Sequence, residues 1–316
     1  MYPDLNIALA ILGIALAVDL LLGEYPRVLH PVVWIGKTIS ALIRLAPRTG
    51  WWRQLLFGGL LATGMCVAGV AITLLAMHLA AVEPVLQIVV GAFLLKASFA
   101  LRALGQAAHR VRASLEKDDL AGARLKLCAL CSRDPSDLNA QELAGASIQS
   151  VAENTSDSFV APLFYYCLLG VPGAVGYRVV NTLDAMMGYR GEYEALGKAS
   201  ARLDDLANWV PARLTAAVML LVGLLSGRST GAGWKILRRD GGKTPSPNGG
   251  RPMAVMAGLL GVQLEKKGVY VLGDAAQPLT PAKIGEAWRL AAGAGVVAAG
   301  MCAAGSVGVF AFWSLL

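Results

Sequence analysis

The chain has 316 residues, 56% of them hydrophobic and only 16% charged, with a mean hydropathy of +0.56 and a formal net charge of +7. Soluble domains carry about 25% charged residues, so this composition excludes an ordinary water-soluble globule and indicates a membrane protein. The positive balance suits loops over anionic lipid; with no aromatic interleaving of the basic residues and no nucleic-acid module, a nucleic-acid binder is excluded as well.

Leu5 to Leu22 is apolar except for Asn6 and Asp19. It has no basic n-region and no A-x-A-like site, so a retained helix is expected rather than a cleaved signal peptide. Glu24–Arg48 reads as an amphipathic helix after His30-Pro31, with Lys37 and Arg44 on its polar side. Leu55–Val82 and Pro84–Leu101 are spans with almost no loop between them, and Leu290–Leu316 is a last span without a charge. All four runs approach or exceed the roughly 20 apolar residues that a crossing helix needs. Residues 102–157 read as two or three helices on the cytoplasmic surface, with Asp134-Pro135 as a helix start. Residues 227–289 are basic and rich in Gly and Pro. There "RRDGGKTPSPNGGRP" reads as a loop, "MAVMAGLLGVQLEKKG" as a helix and "VYVLG" as a strand.

Two further runs are ambiguous. Phe159–Val180 contains Pro162, Pro172 and Arg178, and Leu206–Leu225 contains Asn208, Pro211 and Arg213. Of the 28 Lys and Arg, five lie in 23–54, seven in 102–157, three in 182–205 and ten in 227–289. The positive-inside rule puts all these loops in the cytoplasm and both termini outside. The expected fold is therefore an all-α polytopic membrane bundle, a single integral membrane domain over 1–316 with cytoplasmic segments 102–157 and 227–289. Four spans are favoured, the ambiguous runs being re-entrant, interfacial or packed inside the bundle, and six spans are the alternative. Pro- and Gly-broken backbone at membrane depth is tolerated against protein or a wet cavity.

The polar residues in these greasy segments form constellations. On a helix from Asp134, Glu142, Gln149 and Glu153 share one face, and Asn154 and Asp157 stand one turn apart beside it. Asn181 and Asp184 are three apart, and Asp204 and Asn208 four apart, so each pair can aim two oxygens at one point. Magnesium takes one or two carboxylates together with substrate phosphates and water. Each carboxylate could instead form a structural ion pair with Arg178, Arg190, Arg202 or Arg213. As a group they favour a shared magnesium–phosphate site, because an ionisable residue at membrane depth costs about 2.5–3.5 kcal/mol and marks a functional path. "GGKT" at 241–244 is not a Walker A loop, since Leu237 stands where the motif needs Gly, although Lys243 can meet a phosphate as a point charge. The lone C-x-x-C of Cys128 and Cys131 has no second pair, which argues against zinc.

Six stretches, "HPVVWIGK", "CSRDPSDL", "ENTSDSFVAPLFYY", "NTLDAMMGYR", "SARLDDLANWVPARLTA" and "SPNGGRPMAVMAGLLGVQL", occur in that order. Together they resemble the adenosylcobinamide-phosphate synthases, the cobalamin-biosynthesis CobD/CbiB family. The resemblance runs from Asp19 to about Gly273. It departs at Asp157-Ser158, where the family usually has Asp-Gly, and at Asp184-Ala185-Met186, where it has Asp-Ser-Met. It implies an ATP-dependent amide ligase in the cytoplasmic membrane, with its active site on the cytoplasmic side. Such an enzyme joins adenosylcobyric acid to (R)-1-amino-2-propanol O-2-phosphate or a related amino-alcohol phosphate, with ATP and Mg2+ as cofactors and the corrinoid and membrane lipid as partners. Carried onto this chain, the expected catalytic carboxylates are Glu153, Asp157, Asp184 and Asp205, and the metal ligands Glu153, Asp157, Asp184 and Asp204. Arg133, Asn154, Asn181, Arg202, Asn208, Arg213, Lys243 and Asn248 are expected to bind phosphate or nucleotide. Two rivals are a magnesium-dependent membrane prenyltransferase, for which this chain supplies too few spans, and a non-catalytic AmpE-like signalling protein, which would not need so many carboxylates and amides.

Overall fold

Backbone polar groups in lipid must be satisfied within their own segment, so apolar runs of this length become helices. The computed structural model describes residues 4–131, 133–188, 191 and 193–313, the last four of these by backbone alone. The helices are α1 (Leu5–Leu21), α2 (Pro31–Ile43), α3 (Trp51–Ala80), α4 (Pro84–Ala97), α5 (Leu101–Leu115), α6 (Leu120–Leu127) and α7 (Ala140–Thr155). A π-helical turn at Ser156–Val160 leads into α8 (Ala161–Met187), followed by α9 (Lys198–Ala207), α10 (Trp209–Leu225), α11 (Thr230–Asp240) and α12 (Gly250–Leu260). A hairpin of β1 (Leu264–Lys266) and β2 (Tyr270–Leu272) precedes α13 (Pro281–Trp313). Its strands pair antiparallel, Glu265 opposite Val271.

Four helical stretches are long and apolar enough to cross a membrane: Trp51–Ala80, Pro84–Leu115, Ala140–Met187 and Pro281–Val309. The bent pair α9–α10, with 44° between its halves, would make a fifth. The polytopic bundle expected from composition is therefore present, with a different set of long helices. The first run, α1, has 17 residues, about 26 Å of helix at 1.5 Å per residue against a hydrocarbon core of about 30 Å. The ambiguous run 159–180 lies inside Ala140–Met187. Its prolines do not stop the helix, because Pro162 directly follows the π-helical turn Ser156–Val160, where the regular hydrogen-bond ladder is already interrupted. Pro172 falls just after a kink, where Gly170 adopts φ 67°, ψ −160°. The second ambiguous run breaks at Asn208, between α9 and α10. Leu56, Leu60, Ile72, Leu75 and Leu79 of α3 are exposed, an apolar flank that suits lipid and not water.

The chain folds as two compact units. The first comprises Met1–Ala100, Ala161–Ala207 and Gly300–Leu316; in it α1 packs on α4, and α8 on α2, α3 and α9. Its core gathers Ile39, Leu61, Val179, Leu183 and Met187. The second unit, Leu101–Val160 with Asn208–Ala299, is organised around α12, buried at every position but Arg251. A helix that is apolar all round has to be a core helix. It crosses α11 so closely that a Cβ on Gly258 would lie 2.6 Å from the Gly233 Cα.

Three local expectations are corrected. The helix carrying Glu153 starts at Asn139, not Asp134. Asp134 accepts from the Ser136 amide and hydroxyl in a turn, while Asn139 and Glu142 form a capping box, an N-x-x-E signature. Nor is α7 a surface helix, since Leu143 through Ala152 are buried. The helix expected over 253–268 ends at Gly261, which takes the left-handed conformation (φ 66°, ψ 32°) that closes helices, and "LEK" becomes β1. "RRD" belongs to α11 rather than to a loop.

Candidate functional site

In the second unit, α7 presents Glu142, Gln149 and Glu153 toward the hairpin, the face their spacing predicts. Glu142 is ion-paired with Lys267. The Gln149 Oε1 accepts from Arg133 and, at 3.0 Å, from the Tyr270 hydroxyl, while its Nε2 donates to the Glu265 carbonyl at 3.0 Å. Burial, and then the Glu153 charge, push the Tyr270 hydroxyl up to about 12, so it stays a donor. Glu153 lies against the start of α12, where a Cβ on Gly249 would sit 2.5 Å from its Oε1. Glycine is what lets the carboxylate approach the backbone here.

The N-terminus of α12 has no side-chain cap; Pro252 has no N–H and the Arg251 amide donates to the Asn248 carbonyl at 3.0 Å, so the Gly250 amide and the positive helix end are what face an anion. Cations gather beside it. Arg213 stacks on Trp209 with its Cζ 4.0 Å from the ring centroid. It donates to the Trp209 carbonyl at 2.6 Å and to Oδ1 of the buried Asn248 at 3.4 Å. Arg251 is close enough to act on Arg213 electrostatically, and its Nε is buried without a hydrogen-bond acceptor. Lys243 is engaged by Asp240 at 2.6 Å. Asp240 is fully buried and also binds Arg239 at 2.7 Å and the Gly273 amide at 2.8 Å. Burial alone would raise this carboxyl, but those donors hold it far below the usual carboxylate range. Asn154 bonds back to the Ser150 carbonyl at 2.9 Å and accepts from Ser158 at 3.1 Å. Asp157 stands in the π-helical turn, a distortion frequent at functional positions. Asn208, 1% exposed, opens α10.

In the first unit, Asn181 bridges two polar neighbours. Its Nδ2 donates to Asp204 at 3.4 Å, and its Oδ1 accepts from Arg178 at 3.4 Å, giving an Arg178–Asn181–Asp204 chain. The Asp184 carboxylate lies over Gly188, whose amide donates to the Asp184 carbonyl at 2.7 Å. Arg202 is 76% exposed and pairs with Asp205 at 3.7 Å, which makes it a surface pair. Arg190 lies outside the described residues.

Sequence reasoning missed three features: the Gly249-Gly250-Arg251 helix start, the Tyr270 hydroxyl, and a buried ionic cluster in the first unit. In that cluster the fully buried Lys96 Nζ is 3.2 Å from Asp19 and 2.8 Å from Glu24, and His30 is 2.9 Å from Glu24. Burial opposes ionisation of Glu24, but hydrogen bonds from His30 and Lys96 hold its carboxyl below the ordinary value. Two charges inside apolar runs, Asp19 and Lys96, were the available signal.

Among the described residues, no three His, Cys, Asp or Glu side chains come together as metal ligands. The carboxylates stand singly or in twos, a donor set that fits magnesium carried with phosphates and not a protein-only cage. The uncapped glycine start of α12, with Arg213 and the acceptor-less Arg251 Nε beside it, fits a phosphate group.

These features define a polytopic helical membrane protein with carboxylate, amide and guanidinium clusters suited to phosphorylated ligands. The chain belongs to the CobD/Cbib protein family, whose model matches residues 12–291. Curated relatives include a cobalamin biosynthesis protein CobD of Dehalococcoides mccartyi, 44% identical over 87% of this chain and 90% of the relative. A probable cobalamin biosynthesis protein CobD of Methanothermobacter thermautotrophicus is 42% identical over 89% and 92%. The Synechocystis protein of the same name as the first is 37% identical over 93% of each. No solved structure matches the chain.

Proposed function

We propose that the protein acts in cobalamin biosynthesis as an ATP-dependent amide ligase of the cytoplasmic membrane, working on its cytoplasmic side. It joins a propionate carboxylate of adenosylcobyric acid to the amine of (R)-1-amino-2-propanol O-2-phosphate or a related amino-alcohol phosphate, giving adenosylcobinamide phosphate. The observation that carries this reading is family membership over 12–291, a range that includes both polar clusters. ATP supplies activation of the carboxylate as an acyl phosphate, which the amine displaces with release of phosphate. The protein's own task is positioning and charge neutralisation. The Gly249–Gly250 amides, Arg213, Asn248 and Arg251 would bind phosphate oxygens, and Glu153 and Asp157 would hold Mg2+ carried with them. In the second unit Gln149 fixes Arg133, and in the first Asn181 donates to Asp204. Asn154 steadies the turn that carries Asp157. The family assignment argues against the prenyltransferase alternative.

The direct test is purified protein in detergent with adenosylcobyric acid, ATP, Mg2+ and the amino-alcohol phosphate. The expected result is an amide product with one ADP and one phosphate released per bond. Growth of a deletion strain on cobinamide but not on cobyric acid is the matching genetic result. A deletion strain that grows on cobyric acid alone would overturn the reading.

A further inference from the structure

A cavity of about 350 Å3 opens in the first unit, where the end of α2 meets the start of α3. It is at the small end of ligand cavities, about 300–1,000 Å3. Arg44, Arg48, Gln54 and Tyr193 supply its polar lining, and Ile43 and Leu196 are among its apolar residues. Gln54 spends one N–H on the Pro47 carbonyl at 3.1 Å. Neither Arg44 nor Arg48 has a carboxylate partner among the described residues. Two guanidiniums without a carboxylate partner among the described residues, beside an amide and a phenol, form a donor-rich pocket, and guanidinium forks match phosphate oxygens in pairs.

The position of the pocket narrows the source of that phosphate. Trp51 and Trp52, 44% and 77% exposed, begin the long apolar helix α3, and the exposed Leu45 lies between the two arginines in sequence. Tryptophans at the mouth of a span mark the headgroup level. Lys198 sits over the Trp51 ring at 5.2 Å and adds a further cation at this corner. Basic pockets of this kind between membrane helices suit anionic headgroups.

We infer that this cavity is a phosphate-ester site whose occupant is the headgroup of an anionic membrane phospholipid. The inference does not rest on the amide-ligase reading, and its test reads lipid binding rather than turnover. Purified wild type, R44Q/R48Q and R27Q/R53Q are titrated in neutral detergent with short-chain phosphatidylglycerol, phosphatidylcholine or inorganic phosphate, and thermal unfolding is followed. Arg27, before α2, and Arg53, in the first turn of α3, are exposed and do not line the cavity, so both variants lose equal charge. Phosphatidylglycerol is expected to raise Tm in wild type and in R27Q/R53Q, and phosphatidylcholine is not. In R44Q/R48Q the half-saturating phosphatidylglycerol concentration should rise by about 30-fold, the loss of two cavity cations in contact with the bound anionic headgroup. A shift produced by inorganic phosphate, and lost in R44Q/R48Q, supports the phosphate site and makes a free phosphate ester its ligand. Equal weakening in the two double variants, or no weakening in R44Q/R48Q, overturns the inference. Should R44Q/R48Q fail to accumulate, R44K/R48K keeps the charge and loses the forks, and binding at wild-type strength in that variant would also overturn it.

Discussion

Gly249→Ala separates the fold from the site. Gly249 has φ −57° and ψ −31°, values that alanine adopts freely, so the backbone carries no objection to a side chain. Restricting the unfolded chain gains about 0.4–1 kcal/mol, and exchanging glycine for alanine at a helix cap loses a similar amount, so stability should stay within about 1 kcal/mol of wild type. The new methyl, however, would stand 2.5 Å from the Glu153 Oε1, against 3.4 Å for ordinary packing. The carboxylate must therefore retreat by about 0.9 Å, which it can do because it is the flexible end of its side chain. A displacement near 1 Å at a reacting centre costs about 100-fold in rate. Melting temperature and ATP-dependent amide formation are measured on the same preparation, with Gly231→Ala, where the methyl would meet open space, as control. Wild-type turnover by Gly249→Ala would refute the claim that Glu153 and the α12 terminus form part of the active site.

Glu153→Gln should abolish nucleotide-dependent activity at unchanged Tm; a stability loss of about 3–5 kcal/mol without nucleotide would instead identify an arginine as its partner. Asp204→Asn, which leaves the amide partner Asn181 in place, should eliminate amide formation in a protein that still accumulates in the membrane, and normal turnover would make this carboxylate structural. Asp240→Asn should lower stability by about 1–3 kcal/mol, less than for a fully buried pair, because Arg239 and Lys243 keep contact with solvent. Its folded-state carboxyl is depressed, so its contribution is complete above the unfolded value of about 3.9 and is lost as pH falls below it; wild type and variant should converge in acid melts. Reporter fusions should read external after Glu83 and cytoplasmic after Lys243, as the Lys/Arg asymmetry requires.

Much of the fold was legible because its signals are local. Composition marked the membrane class, His30-Pro31 marked the start of α2, and "VYVLG" marked a strand. The Glu142–Gln149–Glu153 face was readable from helical spacing alone. What escaped depends on partners far away in sequence or on small geometric differences. Nothing local tells whether a proline breaks a helix or, like Pro162, sits just after a π-helical turn within it. Asp134-Pro135 outweighed Asn139-x-x-Glu142 on the page, although the second is the cap the chain uses. The cradle at Gly249 was hidden because a glycine pair in a Pro-rich stretch reads as a loop until the glutamate that needs its missing side chain comes near. Asn181 found Asp204 across a helix pair, and spacing within either motif alone could not reveal that.

The Lys96–Asp19 pairing also bears on how the protein is made. Asp19 and Glu24 leave the ribosome more than 70 residues ahead of the lysine that compensates them. Until that lysine arrives, α1 is an apolar helix of 17 residues with a carboxylate near its end, held back from lipid by about 2.5–3.5 kcal/mol. The first helix is therefore expected to linger at the insertion machinery and to enter lipid together with α4, as a pair joined by charge.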